Sequence, residues 1–282
     1  MPQKNSASRK TDMIENYFVI DSHCHIYPEK IAEKAVAGTD AFYGTTAAGK
    51  GTVSDLARMG EAAGIDHFIV QSVATTPKQV GSINEFIAKS VEDSNGKMTG
   101  LGTLHPNSED IEGDVNKILQ LGLHGVKLHP DIQRFAMDDK KCMPMYELCQ
   151  YHNLPMLIHT GDYRYDFSNP NRVEPVLKSF PRLIMIGAHL GGWSVCDEAS
   201  AKLAKYENLF VDCSSTFPFI KDMSEALKAI DRYGTDRIMF GTDYPMWSPK
   251  DEIKTFMSLD FTDEERKKIL SDTAKRVYNI SL

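Results

Sequence analysis

Two histidines stand one residue apart in FVIDSHCHIYPEK, residues 18–30, at the end of an apolar run. Side chains alternate between the two faces of a β-strand, so His23 and His25 point the same way while Cys24 points to the opposite face. Two adjacent imidazoles form half of a metal site of the zinc type. The pair alone does not separate a metal site from a strand end that merely carries polar residues.

Other chemistry-bearing residues also occur where apolar runs end. They are Lys127 and His129 in GVKLHP, His159 in PMLIHTG, His189 in LIMIGAHLGG and Asp243 in RIMFGTDYP. Taken singly, a histidine can be buried against backbone, an aspartate can cap a turn and a lysine can bury only its stem. Taken together, imidazole nitrogens and one carboxylate suit a borderline divalent ion such as Zn²⁺, and fewer than four protein ligands leave a position for water.

These residues must be positioned by a regular series of strands and helices. Eight apolar, β-branched runs occur at residues 17–26, 67–75, 98–106, 125–130, 155–161, 183–192, 209–216 and 237–245. Helical spacing follows at residues 53–64, 83–94, 114–122, 142–153, 172–181, 196–207, 224–234 and 262–279. Strands apolar on both faces and joined by helices predict a parallel sheet, and eight such units in about 250 residues predict a TIM-type (β/α)₈ barrel. Its active site would lie at the carboxyl ends of the strands.

A doubly wound open α/β sheet is the alternative fold, but no glycine-rich phosphate loop follows the first run. No linker divides the chain, so we expect a single barrel domain over residues 17–282 after a flexible polar tail of residues 1–16. The segment 27–52 exceeds a usual strand-to-helix connection and predicts an extended loop after strand 1, serving as a lid or insertion.

The charge and composition of the chain limit the kinds of molecule that it is expected to bind. The net charge is −7, and the lysines and arginines are scattered, which argues against a nucleic-acid surface. The first seventeen residues are polar and no run of about eighteen apolar residues occurs, so we expect neither a secretory signal nor a membrane partner. Five widely spaced cysteines without a CxxC pair are typical of reduced thiols. A cytoplasmic location is expected.

The motifs DSHCHIYP, GVKLHP, IHTGD, GAHLGG and GTDYP, in this order at successive strand ends, resemble the amidohydrolase superfamily. The closer resemblance is to its amidohydrolase-related branch, which includes the aminocarboxymuconate semialdehyde decarboxylase-like enzymes. The likeness runs from about Phe18 to the closing segment SDTAKRVYNI, where Thr273 stands in place of the usual asparagine.

The resemblance implies one divalent metal ion. Its ligands would be His23, His25, His159 and Asp243. The nitrogen-rich set favours Zn²⁺, while Mn²⁺, Fe²⁺ and Ni²⁺ also fit. His189 would be the catalytic acid or base beside the metal, with Asp243 sharing that role in a hydrolase.

Lys127 raises the question of a second metal. Binuclear members of the superfamily carry a carboxylated lysine at this strand end, and in that case Lys127 and His189 would hold the second ion. We favour the single-metal site, in which Lys127 would bind a substrate carboxylate as a point charge.

Substrate contacts are expected from Lys127, His129, Arg164 and Trp193, the last two on loops at the active end. They suggest a small planar or carboxylated organic substrate. The expected activity is metal-dependent hydrolysis of an amide or lactone bond in a small organic acid.

Three alternatives stay open. The first is non-oxidative decarboxylation of an unsaturated or aromatic carboxylic acid at the same metal site, and the second is a metal-independent lactonase. A non-catalytic barrel is less favoured because none of the expected ligands is replaced. A homodimer is expected only because related barrels often pair.

Overall fold

The structure, a computed structural model, describes residues 14–281. The predicted flexible tail, residues 1–16, therefore lies outside the described residues except for its last three. Of those, Ile14 is fully buried against the hydrophobic core.

Parallel strands form the centre of the described chain. They are β1 (Ile20–His25), β2 (His67–Gln71), β3 (Met98–Gly100), β4 (Gly102–Thr103), β5 (Val126–Leu128), β6 (Met156–Ile158), β7 (Met185–Gly187), β8 (Leu209–Asp212) and β9 (Ile238–Met239). Every strand pairs in parallel with its neighbour in chain order, within the groups β1 to β3 and β4 to β9. Strands β3 and β4 are two parts of one interrupted run, so the strands occupy eight positions.

The last strand position neighbours the first. The backbone N–H of Ser22 donates to the carbonyl of Phe240 at 2.9 Å, and that of His25 donates to Tyr244 at 2.6 Å. An isolated parallel bridge joins Cys24 to Tyr244. The fold is the predicted TIM-type (β/α)₈ arrangement, with the ends of the strand series side by side.

Helices alternate with the strands. They are α1 (Glu29–Tyr43), α2 (Val53–Ala63), α3 (Val80–Asp93), α4 (Ile111–Gln120), α5 (Pro130–Gln133), α6 (Met143–Tyr151), α7 (Pro170–Ser179), α8 (Cys196–Leu203), α9 (Met223–Tyr233), α10 (Pro249–Met257), α11 (Asp263–Lys267) and α12 (Thr273–Val277). A π-helical segment, Lys268–Asp272, joins the last two. Within the described residues no helix combines the length and the apolar character needed to cross a bilayer.

The segment 27–52 is not a plain loop, because it contains α1. Sequence patterning missed this helix since only Ala32 and Val36 are buried along it, too few to form an apolar stripe. The helix ends at Gly44, whose φ of 69° favours glycine. Helix α10 was also not predicted, although Ser248 caps its first turn by accepting from the N–H of Asp251.

Two apolar layers are separated by the strands. On β2, Phe68 and Val70 pack outward in the larger cluster, while Ile69 packs in an inner cluster inside the barrel. This inner cluster includes the strand residues Ile20, Ile69, Leu157, Ile186 and Met239, and Leu101 between β3 and β4. Toward the carboxyl ends of the strands the interior side chains become polar, which places the candidate site there.

Candidate metal centre

Three predicted ligand atoms converge at the end of β1. The Nε2 atoms of His23 and His25 lie 3.2 Å apart. The Oδ1 atom of Asp243, in the segment after β9, lies 3.3 Å from the first and 3.5 Å from the second. The adjacency of the first and last strand positions therefore brings together residues distant in the chain, as a metal site requires.

The protonation state of His23 suits a metal ligand. Its Nδ1 atom lies 2.9 Å from the Oδ2 atom of Asp212, the last residue of β8, and both side chains are buried. Burial holds the pKa of His23 well below its usual value, so the ring is neutral. Because the carboxylate accepts the Nδ1 proton, the Nε2 lone pair faces His25 and Asp243. A neutral imidazole oriented by a carboxylate is a common metal-ligand arrangement.

Asp243 is the carboxylate of the group. Burial raises its pKa to about 7, while hydrogen bonding from Ser215 and the charge of Lys127 act in the opposite direction. The Ser215 hydroxyl donates to its Oδ2 atom at 2.5 Å, which leaves Oδ1 toward the two histidines. A largely buried carboxylate beside two imidazole lone pairs is a donor set that a divalent cation satisfies.

His159 lies beside this group rather than within it. Its Nδ1 atom is 3.1 Å from Nε2 of His189. The Nδ1 atom of His189 lies 2.8 Å from the carbonyl of Ser214 and can donate to it. The predicted four-ligand set is thus assembled in part, with three ligand atoms in close contact and His159 paired with the predicted acid or base.

Lys127, in the middle of β5, also faces this centre. Its Nζ atom lies 3.0 Å from Nε2 of His23, and its side chain is almost fully buried. Burial lowers the pKa of the amine to about 8, and the charges of Asp243 and Asp212 raise it. A lysine at this position can attract a substrate carboxylate by its charge. Alternatively, its amine can itself be carboxylated.

A second group of side chains lies on the other side of His159. Its ring stacks on His129 with centroids 4.0 Å apart and planes within 6°. The Tyr43 hydroxyl, at the end of α1, lies 2.8 Å from Nε2 of His129 and 3.4 Å from Nε2 of His159. Asp131 has its Oδ2 atom 3.7 Å from the same His159 nitrogen. The predicted substrate-binding residue His129 therefore lies next to His159, in a group with Tyr43 and Asp131.

The side chains of Arg164 and Trp193 lie close to each other and to Tyr43. The Arg164 guanidinium donates to the fully buried Asp162 through Nε at 2.9 Å and Nη2 at 2.6 Å, and to the carbonyl of Phe42 through Nη1 at 2.7 Å. The Trp193 ring lies 4.9 Å from that of Tyr43. Arg164 thus ties the end of α1 to the loop after β6, and its expected contact with substrate stays a prediction.

Residue patterns in the sequence missed Asp212, Tyr43 and Asp131. Asp212 had a usable signal, because it ends the apolar run LFVD at a strand end like the other site residues. Tyr43 had none, since its approach depends on the unforeseen helix α1. His189 and Asp243 both have positive φ, 60° and 58°, a backbone state that non-glycine residues adopt mainly at turns and functional sites.

A parallel barrel with imidazole and carboxylate groups gathered at the strand ends defines a TIM-barrel enzyme with a candidate metal centre. A model of the amidohydrolase family matches residues 20–280, so the chain belongs to the amidohydrolase family. Among curated proteins, none matches this chain.

Solved structures share the fold. An uncharacterised TIM-barrel protein from Bordetella bronchiseptica is 22% identical, with a TM-score of 0.77 over 92% of this chain and 97% of its own. A 5-carboxyvanillate decarboxylase from Novosphingobium aromaticivorans, bound to manganese, is 17% identical, with a TM-score of 0.71 over 96% and 99%. A proposed 2-pyrone-4,6-dicarboxylic acid hydrolase from Pseudomonas putida is 18% identical, with a TM-score of 0.67 over 95% and 99%.

Proposed function

We propose that this amidohydrolase-family enzyme is a metal-dependent carboxy-lyase that removes CO₂ from a small unsaturated or aromatic carboxylic acid without an oxidant. The observation that carries the proposal is that a buried cation and aromatic rings border the same group of histidines. Lys127 lies 3.0 Å from His23, while the Trp193 ring lies 6.4 Å from that of His159. Trp193 also packs on Tyr43 at 4.9 Å and Phe219 at 4.3 Å. A cation attracts a carboxylate, and flat rings accept a planar substrate.

His23, His25 and Asp243 would hold the metal, with His159 as the fourth ligand. A divalent metal bound there supplies positive charge that polarises a substrate carboxylate or carbonyl group. Asp212 keeps the His23 ring neutral and oriented. Zn²⁺ and Mn²⁺ are the favoured ions, the second because a structurally similar decarboxylase binds manganese.

His189 would move the proton. Its Nδ1 is occupied by the Ser214 carbonyl, so Nε2 is the atom that faces the centre. Burial lowers the pKa of His189 to about 4, so the free ring is neutral and Nε2 would take up a proton from solvent when the acid binds. In the reaction, that proton adds to the carbon that carries the carboxylate, the bond from that carbon to the carboxylate breaks, and its electron pair restores the double bond. CO₂ leaves, and the imidazole returns to its neutral form.

Hydrolysis of an amide or lactone bond by a two-metal site is the second candidate. It is favoured by one observation, a second group of candidate donors, His129, Asp131 and His159, whose ligand atoms lie within 4.8 Å of one another. A carboxylated Lys127 would then be shared by two ions, and activated water would attack the substrate.

The deciding assay is product analysis on the purified metal-loaded protein. Hydroxybenzoates and 5-carboxyvanillate are incubated with the enzyme, and CO₂ release is measured beside a His189→Asn variant. Release by the wild type and its loss in the variant support the carboxy-lyase. Turnover of a lactone panel with no CO₂ from any acid would instead establish the hydrolase.

Three further expectations stay predictions. These are a single domain over residues 17–282, a cytoplasmic location and a homodimer. The five cysteines are all free and buried in the structure, which is compatible with a reducing compartment.

A further inference from the structure

Gln71, the last residue of β2, is a fully buried side chain without a hydrogen-bond partner. Neither its Nε2 nor its Oε1 atom has a partner among residues 14–281. Burying an amide without hydrogen bonds destabilises a protein, because the group loses its contacts with water and gains nothing in exchange. Such a group calls for a functional explanation.

The side chain faces the inside of the barrel at its active end. Along β2, Phe68 and Val70 pack outward and Ile69 packs in the inner cluster, so alternation turns Gln71 inward, one layer above Ile69. In the parallel register, Gln71 pairs with His25 on β1. Gln71 therefore occupies the strand position next to one of the proposed metal ligands.

Another glutamine near the same end shows what a structural role looks like. Gln133 is also buried, but its Nε2 donates to the carbonyls of Ala74 at 2.8 Å and Leu104 at 2.9 Å. Its Oε1 accepts from the N–H of His129 at 2.8 Å. The fold thus satisfies a glutamine that holds loops together and leaves Gln71 unsatisfied.

We propose that Gln71 is a substrate-binding residue whose carboxamide pairs with a hydroxyl group on the bound acid. This inference rests on the proposed function and adds a feature of the substrate. A carboxamide offers a donor and an acceptor side by side. A carboxylate carries only acceptors and would leave Oε1 unpaired, whereas a hydroxyl both donates and accepts. Lys127 and the metal group are left to take the carboxylate, so the substrate is a hydroxylated carboxylic acid.

The first arm of the test measures stability. Gln71→Met keeps the length of the side chain and removes the unpaired polar atoms, so the melting temperature of the full-length metal-loaded protein should rise by about 2 °C. Gln133→Met is the matched control and should lower it, because three hydrogen bonds are lost. A fall for Gln71→Met similar to that of Gln133→Met would show a structural role and overturn the proposal.

The second arm measures binding by calorimetry, with benzoate and its three monohydroxy isomers as probes. The wild type should bind one isomer more tightly than benzoate. Gln71→Met should weaken that isomer by about tenfold to a hundredfold, leave benzoate within about twofold and keep the metal content unchanged. Unchanged affinity for the preferred isomer would overturn the proposal. If the wild type binds none of the acids, the proposed function is contradicted, and the sign of the melting-temperature shift still decides the role of Gln71.

Discussion

The Nδ1 atom of His23 lies 2.9 Å from the Oδ2 atom of Asp212, inside the barrel and out of contact with solvent. This hydrogen bond connects strand β1 to strand β8, and it determines which nitrogen of His23 is free to bind a metal. The availability of the Nε2 lone pair therefore depends on a residue that is not itself a member of the His23, His25 and Asp243 group.

Asp212→Asn should weaken metal binding by about tenfold to a hundredfold, because the neutral amide no longer favours the Nδ1 proton of His23. An asparagine oxygen can still accept from the backbone N–H groups of His189 and Ser214, which Asp212 now receives, so the fold should be retained. Titration of the apo protein with Zn²⁺ measures the change. Asp55→Asn, a buried carboxylate bonded to Tyr244, is the control, and equal affinity in all three proteins would refute the proposed role.

Tyr43→Phe should lower kcat/KM by about fivefold to tenfold while leaving the melting temperature nearly unchanged. The substitution removes the hydroxyl near His129 and His159 but retains the ring that packs on Trp193. Steady-state kinetics on the substrate found in the CO₂ assay measures it. An unchanged kcat/KM would mean that the hydroxyl only fills space between the two imidazoles.

Arg164→Ala should loosen α1 and destabilise the protein by about 2 kcal/mol, since Asp162 would be left buried without its cation. That value is placed below the range for fully buried pairs because the Arg164 side chain is 25% exposed. Hydrogen exchange across Glu29–Tyr43 should become faster as the bond to the Phe42 carbonyl is lost.

The control for Arg164 is Arg172→Ala. Arg172 pairs with Asp138 and Asp166 nearer the surface, so its loss should destabilise the protein less than Arg164→Ala does and leave exchange in α1 unchanged. Equal effects of the two variants would show that Arg164 does not anchor α1.

Glu252→Gln should stabilise the protein at pH 8 and have little effect near pH 4. Burial, helped by the charges of Asp21, Asp243 and Asp251, raises the pKa of Glu252 from 4.5 to about 8. Between these values the unfolded chain ionises this group and the folded chain does not, so the wild type loses stability as the pH rises. The test is to measure the melting temperatures of both proteins between pH 4 and pH 8. Parallel curves of melting temperature against pH would contradict the raised pKa of Glu252.

The barrel could be predicted because each predicted strand run is apolar and each predicted helix has an apolar stripe. The strands themselves are shorter than the predicted runs, since buried apolar residues continue into the loops. After β7, for example, Leu190 is fully buried but has a φ of 54°, which is incompatible with a strand. Burial rather than strand pairing produced that part of the pattern.

The site could be predicted as far as residue types at strand ends allow. His23, His25 and Asp243 could be predicted as candidate ligands because their types suit metal binding, and the structure brings the three side chains together. Asp212 and Gln71 also stand at strand ends, but they were not singled out, because their roles depend on contacts made or missing across the barrel. Such relationships depend on the closure of the strand series, which residue spacing does not report.

The most direct test of the metal centre is elemental analysis of protein purified without a chelating tag, beside His23→Ala and Asp243→Asn variants. The single-metal site predicts about one divalent ion per chain and its loss in both variants. About two ions would support the bridged site with Lys127. A fully active protein without bound metal would contradict the account and support the metal-independent lactonase.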